Sequence, residues 1–251
     1  MSGDGTTAYL ADSSPGDVYA VRVPELTVTW KQHVGGAPFG LLLDGSRLYV
    51  SLFSAAKVVE LDPKTGVLIG MHAVPDGPAA MSLSPNGRVL VAGTSGTLAS
   101  LDGPSSHAGR GFGIATLGQE IWTADYQRAE LVRARDDHRV PLPLRVSPFW
   151  LAPGAGGTLL IAAEGVHEDD DPGAVLSFDP ATEGFTTLAR PRDPDQVVQS
   201  GSKVLVPAHG ERQVLAIEPG KITVWAAGAD AVALAPDEAL NLLVVLVNAH
   251  E

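Results

Sequence analysis

The 251-residue chain contains no cysteine, and this absence excludes disulfide bonds, thiolate catalysis and cysteine-ligated zinc. It also lacks any apolar run approaching the ~18 residues that a membrane-spanning helix needs. Its amino terminus has neither the basic nor the apolar region of a signal peptide. We therefore expect a soluble protein without a membrane span, cytoplasmic, or exported if a leader has been removed.

Basic residues are scarce: 17 Lys and Arg stand against 29 Asp and Glu, which gives a net charge of −12. Affinity for nucleic acids comes mostly from clustered Lys and Arg side chains that neutralise phosphates. The basic residues of this chain are scattered, so we expect no nucleic-acid partner.

Glycine and proline are abundant, with 28 and 19 residues spread over the whole length. This distribution is typical of many tight turns rather than of one disordered segment. Residues 39–78 contain four short runs of strand-forming residues, separated by Asp44-Gly45, by residues 52–56 and by Pro63-Lys64-Thr65-Gly66. A strand about every ten residues predicts a small antiparallel sheet.

The pattern of residues 39–78 recurs along the chain. First strands begin near residues 39, 79, 112, 149, 196 and 231, a period of roughly 40 residues. The copies of the second strand are apolar runs that usually end in a small residue, as expected for strands sandwiched between neighbouring sheets. They lie at 8–11, 48–51, 89–92, 121–124, 159–162, 204–207 and 243–246. Four strands per repeat predict an all-β fold, the β-propeller.

The strand count favours six blades. Six first strands and six third strands are present, but seven second strands. We predict a single propeller domain over residues 1–251, with six four-stranded blades closed by pairing of the N- and C-terminal segments, which leaves no open sheet edge. Either residues 6–11 or residues 240–247 then fall outside the regular pattern. The alternative is seven blades, one of them incomplete.

Three segments carry a family resemblance. Tyr49-Val50-Ser51, Val58–Gly66 and Ser84–Ala92 resemble the YVTN class of propeller repeats, and they are similar to NHL and streptogramin-lyase-like repeats. The resemblance implies the propeller fold. It implies little about activity, because these proteins include binding proteins, secreted scaffolds and a few enzymes.

Lactonase-like propellers also resemble this fold. They coordinate a metal with Glu, Asp and Asn near the axis, whereas this chain has only Asn86, Asn241 and Asn248. Asn86 and Asn241 fall in or beside turns on the opposite face, and Asn248 lies near the terminus. This departure counts against a lactonase-type metal site, although Asp could substitute for Asn.

In a propeller, the loops between second and third strands and the blade-linking loops gather on one face, here called the loop face. The longest of them in this chain, residues 164–171, carries five carboxylates and one imidazole. With His209 and Glu211 in the equivalent loop of the next blade, Glu164 and His167 predict a mixed nitrogen and oxygen metal site. The cofactor would be a divalent cation, Ca²⁺ or similar. The alternative is a solvated acidic loop, because its spacing matches neither an EF-hand nor HExxH.

His209 and Glu211 are the candidate catalytic residues, as a general base and the carboxylate that orients it. The lyase-type relatives use a His and a Glu at this kind of position, which adds to the hypothesis. The alternative is that His209-Gly210-Glu211-Arg212 forms a polar loop tip.

Candidate ligand-binding residues lie on two other parts of the loop face. Asp125, Tyr126 and Arg128 offer a charged and aromatic rim suited to a small polar ligand. The second part consists of residues at the start of first strands, which lie nearest the axis: Phe39 and Phe149, together with Phe112 and Trp150. These side chains either fill the channel as core or form an apolar floor for a ligand.

Two functions remain open. The favoured hypothesis is a monomeric binding module whose loop face engages a protein, peptide or small-molecule ligand, with a negative potential that favours cationic partners. The other is a metal-assisted hydrolase or lyase acting on a small ester, lactone or cyclic peptide. Convergence of loop-face carboxylates on one point would favour the enzyme, and splayed carboxylates the module.

Overall fold

A computed structural model of the chain describes residues 1–167, 171–227, 230–237 and 242–247. The chain forms a six-bladed β-propeller, as predicted, and these described residues contain 25 strands and two short 3₁₀ turns. The described residues contain no helix long and apolar enough to cross a membrane. Of the residues considered above, Glu168, Asp169, Asp170, Asn241 and Asn248 lie outside the described part of the chain.

Five blades are complete four-stranded antiparallel sheets, and in each of them the strands are hydrogen-bonded in chain order. The strands of the first three blades are β1 (Thr7–Asp12), β2 (Asp17–Arg22) and β3 (Thr27–His33) in blade I; β4 (Pro38–Asp44), β5 (Arg47–Leu52), β6 (Lys57–Leu61) and β7 (Leu68–Ala73) in blade II; and β8 (Pro78–Leu83), β9 (Val89–Gly93), β10 (Thr97–Ser100) and β11 (Gly103–His107) in blade III.

The remaining strands follow the same pattern. They are β12 (Ile114–Leu117), β13 (Glu120–Asp125), β14 (Glu130–Arg133) and β15 (His138–Pro141) in blade IV; β16 (Ser147–Pro153), β17 (Leu159–Glu164), β18 (Ala174–Asp179) and β19 (Gly184–Ala189) in blade V; β20 (Val198–Ser200), β21 (Lys203–Ala208), β22 (Gln213–Glu218) and β23 (Lys221–Ala227) in blade VI; and the terminal hairpin β24 (Ala231–Asp237) and β25 (Leu242–Val247). The 3₁₀ turns span Ala155–Gly157 and His209–Glu211.

The second strand of each complete blade is buried on both faces. All residues of β9 and β17 are buried, and so are all but the first residue of β5 and β21. Hydrophobic clusters lie between neighbouring blades and account for this burial; one of them joins Leu131 of blade IV to Ile161 of blade V. The outer strands are largely exposed, as β11 shows along its whole length.

A hydrogen-bonded turn at residues 62–66 separates β6 from β7. The Asp62 carboxylate accepts the backbone N–H groups of Lys64 and Thr65 at 2.8 and 3.0 Å, and these bonds lower its pKa. Gly66 then takes a φ of 74°, which an L side chain rarely adopts. The turn reverses the chain between β6 and β7, and its Pro63 carbonyl accepts the indole N–H of Trp30 at 3.0 Å.

The ring closes between blade VI and blade I, where the two ends of the chain meet. β1–β3 form a three-stranded sheet, and β24 pairs with β25. Both terminal copies of the second strand are therefore strands: β25 pairs with the first strand β24, and β1 pairs with β2. The side chain of Gln196 ties the hairpin to blade VI by accepting the Leu234 N–H at 2.6 Å.

Ser51, the small residue that ends the second strand of blade II, links two blades. Its side chain is fully buried, accepts the Gly40 N–H at 2.8 Å, and donates to the Ala79 carbonyl of blade III at 2.6 Å. Gly40 itself allows this close approach, because a Cβ there would lie 2.4 Å from the Ala79 oxygen. The Ser51 hydroxyl therefore bridges a backbone N–H of β4 and a backbone carbonyl of β8, the first strands of two adjacent blades.

We expect Ser51→Ala to lower the free energy of unfolding by about 1–3 kcal/mol, because it removes the buried partner of two backbone groups. Urea denaturation would measure the change. The control is Ser54→Ala, since Ser54 is exposed on the following loop and its loss should cost less than ~0.5 kcal/mol. Equal effects of the two substitutions would contradict this role of Ser51.

Candidate functional site

Buried charge concentrates on the loop face. Eight polar or charged side chains of the described residues are buried, and only Glu60 among them lies away from this face. The five buried loop-face carboxylates are those of Asp17, Asp125, Glu164, Asp193 and Asp230. Because a buried carboxylate is costly unless its charge is compensated, the partners of each one indicate what it does.

Two of these carboxylates are held by nearby cations. Asp17 contacts Lys31 at 2.7 Å and His33 at 2.9 Å, and the hydrogen bond from Lys31 lowers the pKa of Asp17. Asp230 contacts Arg212 at 2.6 Å. These pairs sit at separate points around the ring, so they stabilise the loops to which they belong.

Asp125, Tyr126 and Arg128, which we predicted to form a ligand-binding rim, lie together in the loop between β13 and β14. Asp125 is 1% exposed, accepts the Arg128 backbone N–H at 3.1 Å, and contacts the guanidinium of Arg139 at 3.2 Å. Its carboxylate thus holds the loop. Tyr126 is half-buried and the Arg128 side chain is exposed, so these two residues can reach a ligand.

Five aromatic rings form an axial aromatic cluster at the channel, consisting of Phe39, Phe53, Phe112, Tyr126 and Phe149. Their neighbouring centroids lie 4.8–6.4 Å apart, within the range of favourable aromatic contacts. All five are half-buried rather than fully enclosed. The ring centroids of Phe39 and Phe149, two of the four residues that we predicted at the axis, lie 6.4 Å apart.

The cluster spans non-adjacent blades because blade III contributes only small residues at the axis. Its first strand begins Pro78-Ala79-Ala80, and both alanines are buried. Phe39 of blade II therefore reaches Phe112, which precedes blade IV, at 5.9 Å. Aromatic side chains fill this half of the channel.

The other half of the channel is open. A cavity of about 220 Å³, here called the mouth cavity, lies between the aromatic cluster and the terminal hairpin on the loop face. Its walls include Phe39, Phe149 and Trp150 on one side, and Val232 and Ala233 on the other. A second cavity of about 230 Å³ continues down the channel between β1 and the hairpin.

Asp195 and Gln196 bring polar atoms to the wall of the mouth cavity. Both belong to the segment that links blades V and VI. Neither residue was among our candidate site residues, and Phe53 was not among them either. The Asp193-Pro194-Asp195 sequence was the available signal, because it places two carboxylates in a linking loop next to a candidate base.

Glu164 and His167, the predicted metal ligands, have separate partners. Glu164 is buried at the end of β17 and accepts a hydrogen bond from the Tyr126 hydroxyl at 2.5 Å. His167 is exposed and contacts Asp171 through Nδ1 at 2.8 Å. The structure gives no test of metal binding at this pair, so that hypothesis stays a prediction.

His209 lies in the loop between β21 and β22, with two aspartates of the preceding linker beside its ring. Its Nδ1 is 3.2 Å from Asp193 Oδ2 and 3.5 Å from Asp195 Oδ2. Among the described residues, these three side chains form a group whose ligand atoms all lie within 4.8 Å of one another. Glu211, the carboxylate that we predicted to orient His209, instead accepts the Arg192 backbone N–H at 3.3 Å.

Sequence comparison finds no relative of this chain: no protein family matches it, and no characterised protein matches it by sequence. Solved structures match it by fold. Streptogramin B lyase matches with a TM-score of 0.77 at 15% identity, over 93% of this chain and 84% of the lyase. BamB from Moraxella catarrhalis gives 0.63 at 15% identity, over 98% and 78%.

Nidogen, solved in complex with laminin, gives a TM-score of 0.64 at 15% identity, over 87% of this chain and 92% of the matched chain. Identities this low show the fold alone. The likenesses agree with the YVTN- and NHL-type resemblance of the repeats, and they leave the function to be argued from the loop face.

We expect the contact between His167 and Asp171 to be a local ion pair, and this can be measured. The hydrogen bond from His167 is the main cause that holds the pKa of Asp171 below its ordinary value. We expect His167→Ala to raise the pKa of Asp171 toward 3.8. Carboxyl ¹³C NMR during an acid titration would measure this change. The pKa of Asp179 serves as the control, because backbone and Thr182 hydrogen bonds set it. An unchanged Asp171 would mean that His167 points elsewhere in solution.

Proposed function

We propose that this protein is a binding module whose mouth cavity takes up one side chain or ring of a partner at the loop face. The observation that carries the proposal is the axial aromatic cluster, which remains half-exposed and forms one wall of an open cavity. Solvent-accessible aromatic surface beside a concave site is typical of binding sites. A ring cluster that only filled the channel would be fully buried.

The size of the cavity favours part of a larger partner over a whole small molecule. At about 220 Å³ the mouth cavity is smaller than the roughly 300–1,000 Å³ that encloses a drug-sized ligand. One side chain of a peptide or protein fits such a space. The likeness in fold to nidogen, whose structure was solved with laminin, is compatible with a protein partner.

The lining favours a group that is both apolar and positively charged. Phe39, Phe149 and Trp150 line the mouth cavity, and Asp195 lines it as well. A cation next to aromatic faces gains from the ring quadrupole as well as from the carboxylate. Net charge of −12 adds a long-range attraction for cationic partners.

A series of three probes with one ring and different charge tests this proposal: phenethylammonium, 2-phenylethanol and phenylacetate. Titrations would be followed by ¹H–¹⁵N NMR in buffer with EDTA. We expect the cation to bind most tightly and the anion most weakly. Phe149→Ala should raise the Kd of the cation about tenfold, as expected for the loss of ~1.4 kcal/mol of ring contact.

Phe185→Ala is the matched control, because Phe185 packs on Phe178 in the outer part of blade V, away from the channel. It should leave the probe affinity unchanged. The proposal fails if no probe binds, if phenylacetate binds best, or if both Phe variants lose binding equally. Thermal melts of each variant would separate lost binding from lost folding.

A second candidate function is a hydrolase or lyase, and the grouping of Asp193 and Asp195 around His209 is the observation that favours it. An imidazole beside a carboxylate has the parts of a general base, and the fold resembles that of streptogramin B lyase. Here Asp193, rather than Glu211, is placed to orient the ring.

Hydrolysis of p-nitrophenyl acetate and γ-butyrolactone would test the enzyme hypothesis. If His209 is the base, His209→Ala should reduce turnover at least about a hundredfold, the scale of general-base catalysis. His138→Ala is the control, because His138 pairs with Glu183 at 2.6 Å on the exposed side of blades IV and V. Absence of turnover by the wild-type protein on both substrates would count against this function and leave the binding module.

A further inference from the structure

We propose that Asp193, Asp195 and His209 form a binding site for one first-row divalent metal ion at the edge of the mouth cavity. The inference shares Asp195 with the proposed binding function but does not depend on that function, because it rests on the three side chains and not on an organic ligand.

The distances at His209 differ from those of the other histidine–carboxylate pairs. The other four described pairs lie at 2.5, 2.6, 2.8 and 2.9 Å, which is the range of a charge-assisted hydrogen bond. The Nδ1 atom of His209 lies 3.2 and 3.5 Å from its two carboxylate oxygens. An N–H shared between two carboxylates forms a three-centre hydrogen bond with longer distances than a single bond. Two carboxylates at one ring nitrogen are also the arrangement of ligands around a shared cation.

A metal ion accounts for it. Zinc–nitrogen and zinc–oxygen bonds are about 2.0–2.2 Å long, so two ligand atoms at a tetrahedral angle lie roughly 3.3–3.6 Å apart. The spacings of 3.2 and 3.5 Å therefore match a shared ion between the ligands. All three ligand atoms lie within 4.8 Å of one another, so the side chains form one compact group.

The two segments that supply the ligands are held together by backbone contacts. The His209 N–H donates to the Asp193 carbonyl at 2.9 Å, and Pro194 forms a β-bridge with Ala208. Gly210 permits the approach, because a Cβ there would lie 3.0 Å from Arg192 Cβ. The ligands are thus positioned before any ion binds, which reduces the entropic cost of binding.

The backbone at Asp193 is in an unfavourable conformation, with a φ of 46°. Non-glycine residues in the left-handed region cost energy and cluster at functional sites.

The donor set defines the class of ion. One imidazole and two carboxylates suit Zn²⁺, Mn²⁺ or Co²⁺, whereas Ca²⁺ takes six to eight oxygen ligands. Three protein ligands leave at least one coordination position open. Because Asp195 lines the mouth cavity, an open position there would be accessible to a ligand or water.

Isothermal titration of the EDTA-treated protein with Zn²⁺, Mn²⁺ and Ca²⁺ tests the site. We expect one Zn²⁺ per chain and weaker binding of Ca²⁺. His209→Ala and Asp195→Asn should each raise the Kd for Zn²⁺ by more than about tenfold, a loss at least as large as that seen on removing residues that only orient metal ligands. The Asn substitution keeps the shape of the side chain, so it also serves if His209→Ala folds poorly.

His167→Ala is the matched control, because it removes an exposed imidazole that also contacts an aspartate. Wild-type affinity in this variant, with loss in the other two, would support the site at His209. Loss only in His167→Ala would place the ion on the acidic loop and overturn the proposal, as would the absence of Zn²⁺ binding or its persistence in both His209→Ala and Asp195→Asn. The binding of phenethylammonium, measured in EDTA, is not affected by any of these outcomes.

Discussion

The structure depends on the burial of each blade between two neighbours. A four-stranded sheet of 40 residues is too small to bury its own hydrophobic faces, and here the second strands β5, β9, β17 and β21 are buried on both sides. Stability therefore comes from contacts between blades, and each blade requires the next. Only a closed ring satisfies every blade at once, which places the chain ends side by side.

Closure also determines the shape of the candidate site. The first strands of all blades point at one narrow channel, where side chains from blades II, IV and V meet. Phenylalanine fills the channel on that side, and the small residues of blade III make room for it. The terminal hairpin presents smaller side chains, such as Ala233, and the channel there remains open as two cavities.

The carboxylates of the loop face are of two kinds: some pair with a cation and stabilise a loop, and two lie beside the same imidazole. Asp17, Asp125 and Asp230 each have a cation of their own close by. Asp193 and Asp195 instead meet at one imidazole, beside the open half of the channel. Asp195 belongs to both proposals, so a bound metal ion would neutralise it and weaken the preference of the mouth cavity for a cationic group.

The repeat pattern alone determined the fold, because strands, turns and burial at the scale of one blade are local properties. The first strands begin within two residues of the predicted positions, and the Asp-Pro turn at Asp62 works through bonds to its own neighbours. The aromatic residues Phe39 and Phe149 were recognised as axial for the same reason.

Contacts between residues far apart in the chain were decided only by the tertiary structure. The sequence placed His209 beside Glu211, two residues away, whereas the ring of His209 faces Asp193 and Asp195 in the preceding linker. The sequence also predicted that Glu164 and His167 share a metal ion, whereas Glu164 accepts a hydrogen bond from the Tyr126 hydroxyl of another blade. Side-chain partners on a loop face depend on how adjacent loops dock after the ring has closed, and nothing within a single repeat encodes that docking.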